Sequence, residues 1–360
     1  MHPDWESVLR HTNACIENSV AQHFGDRRLE AQAASASDVI SPLTQSALIQ
    51  ISGPDKASFC QGQFTNDISL VNTSQSQLSA FCSPKGRMLA CFRIFQQAND
   101  YYLTLPQELA TPTLKRLQLF VLRAKTSLTH SRHWLGLGLS GPNAEILLAD
   151  CLGQAVPATL NTTLTITLAG DALCVIRVPG VLPRFELYGD VPLILSYWEQ
   201  LTQQARPVGA SSWTLLDIQA GLPSLTSATS DAFVPQMANL DILDGISFHK
   251  GCYVGQEIVA RMHYLGRLKR RMFRYWLDTE RLPAAGAELF TAALHDEQSV
   301  GQIVSSAPSP NGGSEALAIL TLAYAATDLR LADQSACKIE QWPLPYALPS
   351  DNSKPIGSST

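Results

Sequence analysis

Residues 245–261 read Gly-Ile-Ser-Phe-His-Lys-Gly-Cys-Tyr-Val-Gly-Gln-Glu-Ile-Val-Ala-Arg, and at their centre Cys252 lies between Lys250 and the glycines Gly251 and Gly255. The thiolate is the reactive form of cysteine, and a nearby ammonium lowers a thiol pKa from about 8.5 toward neutrality. Gly251 and Gly255 strip side chains from both flanks, so the backbone can turn sharply and another group can come close. A lone cysteine is commonly a small core residue. These neighbours turn the reading of Cys252 toward a functional thiol.

The same stretch divides the chain. Upstream, Ala47–Ser52, Leu78–Cys82, Arg87–Phe95 and Tyr101–Leu105 read as strands, with hairpin chemistry at 83–86 and 96–100 and a helix over Leu109–Leu122. Asp55 reads as the N-cap of a helix through Phe59. Two strands over 126–140 lead to a helix after Gly141-Pro142, three strands near 162–167, 172–178 and 184–188, a helix at 191–204 and another from Trp213 to Ala220. This mixture lacks a regular β-α-β repeat, which predicts an α+β fold. After Gly266 strands alternate with turns, as in a small β-barrel or sandwich. Residues 1–38 read as a peripheral helix and an Ala/Ser-rich linker, and the last ten residues as a disordered tail.

Composition bounds the class. At 360 residues, 45% hydrophobic and 16% charged, the chain is globular and long enough for two or three domains. No apolar run reaches the roughly 20 residues of a membrane span, and the N-terminus lacks a basic-then-apolar signal, so a cytoplasmic location without membrane contact is expected. Eight scattered cysteines without a Cys-x-x-Cys pair imply a reducing compartment and no resident metal site. The net charge is −5, yet segments 85–125 and 249–274 hold 14 of the 26 basic residues and 3 of the 31 acids. If they meet, they form a positive surface or cavity for a polyanion; otherwise they are two solvated faces.

Other motifs are weaker. No glycine-rich phosphate loop and no Gly-x-Ser-x-Gly elbow occurs. Asp217, Asp241 and Asp244 could supply a carboxylate pair, although isolated acids in such stretches are usually caps. The turn Ser83-Pro84-Lys85-Gly86-Arg87 could hold an anion, with Arg87 as a fork and Lys85 as a point charge, or be a solvated tip. Trp213 has the ring area to stack a flat heterocycle.

In order, Gln61-Gly62-Gln63-Phe64-Thr65-Asn66-Asp67, Pro84–Arg87, Ala220-Gly221-Leu222-Pro223, Phe233-Val234-Pro235-Gln236 and Lys250-Gly251-Cys252-Tyr253-Val254-Gly255-Gln256-Glu257 with Arg261 resemble the YgfZ family. These are folate-binding proteins linked to iron-sulfur cluster assembly or repair and to tRNA modification, related to the glycine-cleavage T-protein, an aminomethyltransferase. The resemblance implies three domains around a central hole: a discontinuous domain 1 over 40–75 and 135–248, domain 2 over 76–134, a signature loop at 249–264, a C-terminal barrel at 265–346 and a tail at 347–360. Tetrahydrofolate or another folate would lie non-covalently in the hole, faced by the two basic segments.

The resemblance assigns folate contacts to Trp213, Gln219, Lys85, Arg87, Gln236 and Asn239. It assigns the chemistry to Cys252, with Lys250 lowering its pKa, Tyr253 and Gln256 shaping the site, and Glu257 and Arg261 forming an orienting ion pair. Two positions depart. Gln219 replaces a glutamate that meets the pterin edge, a loss of about 1–2 kcal/mol if a charged hydrogen bond becomes neutral. Leu89-Ala90 stand where the T-protein has its catalytic aspartate, which argues against aminomethyl transfer by that mechanism. The expected function is a folate-binding accessory factor whose transient partners are iron-sulfur client enzymes, tRNA-methylthiolating ones included. The alternatives are a tetrahydrofolate-dependent one-carbon transferase and a tRNA-binding protein.

Overall fold

A computed structural model describes residues 1–168, 170–294, 298–332 and 337–349. Three sheets organise the chain. The first has the strand order 163–168, 171–177, 184–190, 134–140, 39–42 and 206–207, antiparallel except for the last pair. The second runs 77–82, 88–97, 100–106, 46–52 and 127–131, all antiparallel. The third, 329–331, 288–291, 301–308, 314–321, 270–277 and 339–342, curls into an antiparallel half-barrel. The fold is α+β, and the expected barrel is a half-barrel whose two edge strands, 329–331 and 339–342, do not pair with each other among the described residues.

Period-two side chains give the first sheet two apolar faces. On one, Phe185, Leu187, Leu137 and Leu139 pack beneath helix Val191–Leu201, whose Val191, Ile194, Tyr197, Trp198 and Leu201 form a stripe at helical spacing. Helix Pro3–His11 closes that layer with Trp5 edge-on to Trp198, ring centres 5.3 Å apart. On the other face Trp134 and Tyr188 join Phe95 and Tyr102 of the second sheet in a near-parallel aromatic column, which fastens the two sheets together.

Several expectations change here. Residues 31–38 are no linker: Arg27–Ala36 is a helix, capped by Asp26 and buried through Ala31, Ala33 and Ala34, because alanines let it approach its neighbour closely. Residues 15–23 form a hairpin, not a continuation of the first helix. The segment is integral: buried Glu30 accepts from the Gly209 amide at 2.8 Å, at the start of helix Ala210–Gln219, and burial raises its pKa. Asp55 caps no amide of its helix; its Oδ2 accepts from the Lys125 amide at 2.8 Å and holds a neighbouring loop. Strand Ser46–Ser52, assigned by resemblance to domain 1, pairs inside the second sheet because its register partners are 101–106 and 127–131. The second half of the expected signature loop is a helix, Gln256–Tyr264. Tail residues 350–360 lie outside the described residues.

Candidate functional site

The three sheets enclose a central cavity of about 970 Å³. Alternation along Arg184–Asp190 turns Arg184, Glu186 and Tyr188 away from the helix-covered face; the last two line the cavity. A cross-strand row of Leu78, Arg93 and Thr104 supplies the second wall. One turn of helix Ala210–Gln219 supplies Trp213, Thr214 and Asp217, and Val304–Ser306 of the third sheet closes the side opposite.

The polar groups of this wall are cross-linked. Arg184, fully buried, donates to Asp217 Oδ1 at 2.7 Å and covers one face of the Trp213 indole at 4.1 Å. Asp217 keeps 30% of its side chain open to the cavity, yet desolvation outweighs the Arg184 charge and raises its pKa. Tyr188 donates to Glu186 Oε2 at 2.9 Å and pairs with the Thr104 hydroxyl at 3.0 Å; burial drives its pKa well up. Arg93 donates to Asn161 Oδ1 at 2.7 Å and to Ser76 Oγ at 3.2 Å. The cavity thus presents carboxylates at Glu108, Glu186 and Asp217 and guanidiniums at Arg27 and Arg93.

The signature segment forms a separate exposed locus. Residues 244–250 are stitched to 64–67: Thr65 Oγ1 donates to the Gly245 carbonyl at 2.7 Å, and Asn66 Nδ2 to that of Asp244 at 2.6 Å. Lys250 Nζ donates to the carbonyls of Phe64 and Asn66 at 2.7 and 2.8 Å and lies 5.2 Å from the centre of the buried Tyr253 ring. Burial lowers its pKa to about 8. Cys252 is exposed and free. Gly255, at φ 83°, and Gly86, at φ 69°, pack against each other. A Cβ on Gly255 would fall 2.5 Å from the Ser83 carbonyl oxygen, and one on Gly86 would fall 2.7 Å from Ile258. The turn bearing Lys85 and Arg87 therefore docks onto the start of helix Gln256–Tyr264, and the two basic segments meet.

They meet at this exposed locus and not around the cavity, to whose wall they contribute Arg93 as their one cation. Lys85 and Arg87 are exposed, with Arg87 Nη1 on the Asp231 carbonyl at 3.3 Å. Trp213 lines the cavity but is 2% exposed, with Arg184 on one face and Gly138 against its ring, so it is a wall element and no open stacking platform. Gln219 is buried beside Ser35 and Glu315, outside that wall. Gln236 and Asn239 are also buried off the cavity: Gln236 Nε2 donates to the Val259 carbonyl at 2.7 Å and Asn239 Nδ2 to that of Met272 at 2.9 Å. The first braces helix Gln256–Tyr264 and the second the third sheet.

Gln256 is half-buried in the first turn of its helix, Glu257 and Arg261 are exposed on it, and among the described residues no ion pair joins these last two. Gly251 faces open space, so its lack of a side chain answers no steric demand. Asp217 and Asp241 are arginine partners and not caps. The functional candidates that sequence reasoning passed over are Arg184, Glu186 and Tyr188, while Arg93 entered it only as one charge of the basic segment 85–125. The Arg-x-Glu-x-Tyr alternation at 184–188 was the available signal: polar residues at every second position of a strand must share a face. Among the described residues no group of three or more His, Cys, Asp or Glu is placed to hold a metal ion, and no helix is long and apolar enough to cross a membrane.

Comparison with known proteins places this arrangement. Residues 7–246 match the model of the GCVT N-terminal domain. The chain is 31% identical over 308 residues to the tRNA-modifying protein YgfZ of Yersinia pseudotuberculosis, covering 85% of this chain and 91% of that one. It is 32% identical to the protein of the same name from Colwellia psychrerythraea, covering 85% and 92%. In structure it is similar to the glycine cleavage system aminomethyltransferase T of Bartonella henselae, with a TM-score of 0.79 over 95% of this chain and 96% of that one at 16% identity. The signature segment, the three-sheet architecture and these alignments agree, and the chain belongs to the YgfZ family.

Proposed function

We propose that this protein binds a folate, non-covalently, in the central cavity. It would act as an accessory factor for iron-sulfur client enzymes, tRNA-modifying ones among them, with Cys252 as its thiol. The observation that carries the reading is the cavity wall itself. Cavities of about 300–1,000 Å³ suit ligands of drug size. Asp217 and Glu186 offer acceptors for the N–H edge of a flat heterocycle, and Asp217 supplies beside Arg184 the charge that Gln219 lacks. Cys252, exposed on a rigidly held segment, is open to a macromolecular partner. A four-ligand cluster is beyond one cysteine, so any metal contact would be shared with a client.

Calorimetric titration with tetrahydrofolate tests the cavity. The native chain is expected to release heat, and Asp217→Asn to bind about ten-fold more weakly, the difference between a charged and a neutral hydrogen bond. Trp213→Phe, which keeps an aromatic wall, should bind more strongly than Trp213→Ala. No heat with the native chain overturns the folate reading. Cys252→Ala should keep folate affinity and lose client repair; full repair would remove the thiol from the account.

A second reading, a folate-dependent one-carbon transferase, is favoured by one observation: the raised pKa of Asp217 suits a group that holds and returns a proton. Ala90, fully buried, leaves no carboxylate at the position expected from the T-protein. Label passing from methylene-tetrahydrofolate into a product would support this reading over the accessory one.

A further inference from the structure

Two exposed apolar tips flank the signature segment. The first follows helix Gln107–Gln118, where Leu119 and Leu122 are 74% and 86% exposed with Phe120 between them. The second ends helix Gln256–Tyr264, where Leu265 is 83% exposed beside Tyr264. Single exposed apolar residues are ordinary, whereas contiguous groups mark an interaction surface. Both tips are held in place. The Phe120 and Val121 amides donate to the Leu117 and Gln118 carbonyls at 3.0 and 3.2 Å, and the Leu265 and Gly266 amides both donate to the Arg261 carbonyl at 2.9 Å. The Phe120 ring stands edge-on to Phe81, centres 6.2 Å apart, and two residues further on the Ser83 carbonyl lies against Gly255. The first tip and the signature segment therefore share one strand end. His263, next to Tyr264, stacks at 3.7 Å on Phe248, four residues before Cys252. Each tip is also set among cations: residues 115–125 and 261–270 carry four Lys/Arg apiece and no aspartate or glutamate. Among the described residues no carboxylate forms an ion pair with Arg116, Arg123, Arg261 or Arg267.

We propose that the two tips form one docking surface for a folded protein whose matching face holds apolar pockets rimmed by carboxylates. This rests on the reading of Cys252 as a thiol presented to a client and adds the surface that holds the client over it. The charge complements an acidic partner, and the rigid tips lose little freedom when they are buried. RNA would engage the cations but leave Leu119, Leu122 and Leu265 without partners, since single strands are held by aromatic stacking. An anionic bilayer would accept both tips but offers nothing to the exposed thiol between them. A protein partner uses all three features, and the open space around Gly251 leaves it room to reach Cys252.

The test uses the full chain and a purified tRNA-methylthiolating iron-sulfur enzyme as the probe, with the dissociation constant read by interferometry. Leu122→Asp and Leu265→Asp alter exposed side chains and should each weaken binding about ten-fold or more, the burial of one leucine. Arg123→Glu should weaken it too, and the native affinity should fall as salt rises. Cys252→Ala should dock as the native chain does, which separates holding the client from acting on it. Native affinity in both leucine variants overturns the docking surface while the thiol reading stands. No binding of the native chain to the probe removes the surface and the client role together. Binding to phosphatidylglycerol vesicles or to bulk tRNA that the leucine variants abolish would assign the tips to lipid or RNA and overturn the proposal.

Discussion

The Lys250 ammonium decides how the signature segment is held. It was expected to act on Cys252, but its protons go to the backbone carbonyls of Phe64 and Asn66. Lys250→Met would strand those carbonyls without their donor and should destabilise the protein by about 1–3 kcal/mol, measured by urea denaturation. A pH signature follows. Folded Lys250 loses its proton at about 8, whereas an unfolded lysine loses it near 10.4. Between these values the unfolded chain binds more protons, so this residue makes stability rise with pH. The native chain should gain stability from pH 7.5 to 9.5 relative to Lys250→Met; an equal pH response in the two would place the lysine at its ordinary pKa. That Cys252 is exposed was legible from its glycine-rich neighbours; where the lysine points was not, because residues 64–66 are remote in sequence and meet it only in the fold.

At the scale of elements, the junction of Gly86, Gly255 and helix Gln256–Tyr264 couples the basic turn to the signature segment. Gly255→Ala places a Cβ on a positive φ and against the Ser83 carbonyl, and should destabilise by about 1–3 kcal/mol. Gly251→Ala meets open space and should melt within about 0.5 kcal/mol of the native chain. Thermal denaturation of the pair checks this, and equal losses would refute the assigned contact. Helix Arg27–Ala36 rests on its cap: Asp26 accepts from the Arg28 and Leu29 amides at 2.8 and 3.0 Å, and Asp26→Ala should lower stability by about 1 kcal/mol. The long strands were legible because their side chains alternate. This helix was not, because Ala31 to Ala36 lack the large apolar residues that mark helical periodicity, and alanine and serine in a row read equally as linker.

On the scale of the whole molecule, the third sheet is bolted to the rest through Arg271. This buried side chain forms a two-pronged ion pair with Asp241 at 2.7 and 2.8 Å and also donates to the Gln236 carbonyl at 3.1 Å. Arg271→Met leaves a buried carboxylate unpaired and should destabilise by about 3–5 kcal/mol, with much of the loss recovered in Arg271→Met/Asp241→Leu, as judged by chemical denaturation. Equal losses in the single and double variants would contradict the pair's role. By itself the sequence determined the α+β class, most strands, the change of texture after Gly266 and the family, because these depend on local alternation, turn chemistry and contiguous motifs. Only the tertiary structure decided which charges face the cavity. The basic turn at 83–87 docks beside the signature segment, while Glu186, which no motif marked, and Asp217, marked only as one of three possible carboxylates, converge with Arg93 from three separate elements. Burial then gives the Asp217 carboxyl its raised pKa. Such convergence is set by sheet packing at long range, and no local pattern encodes it.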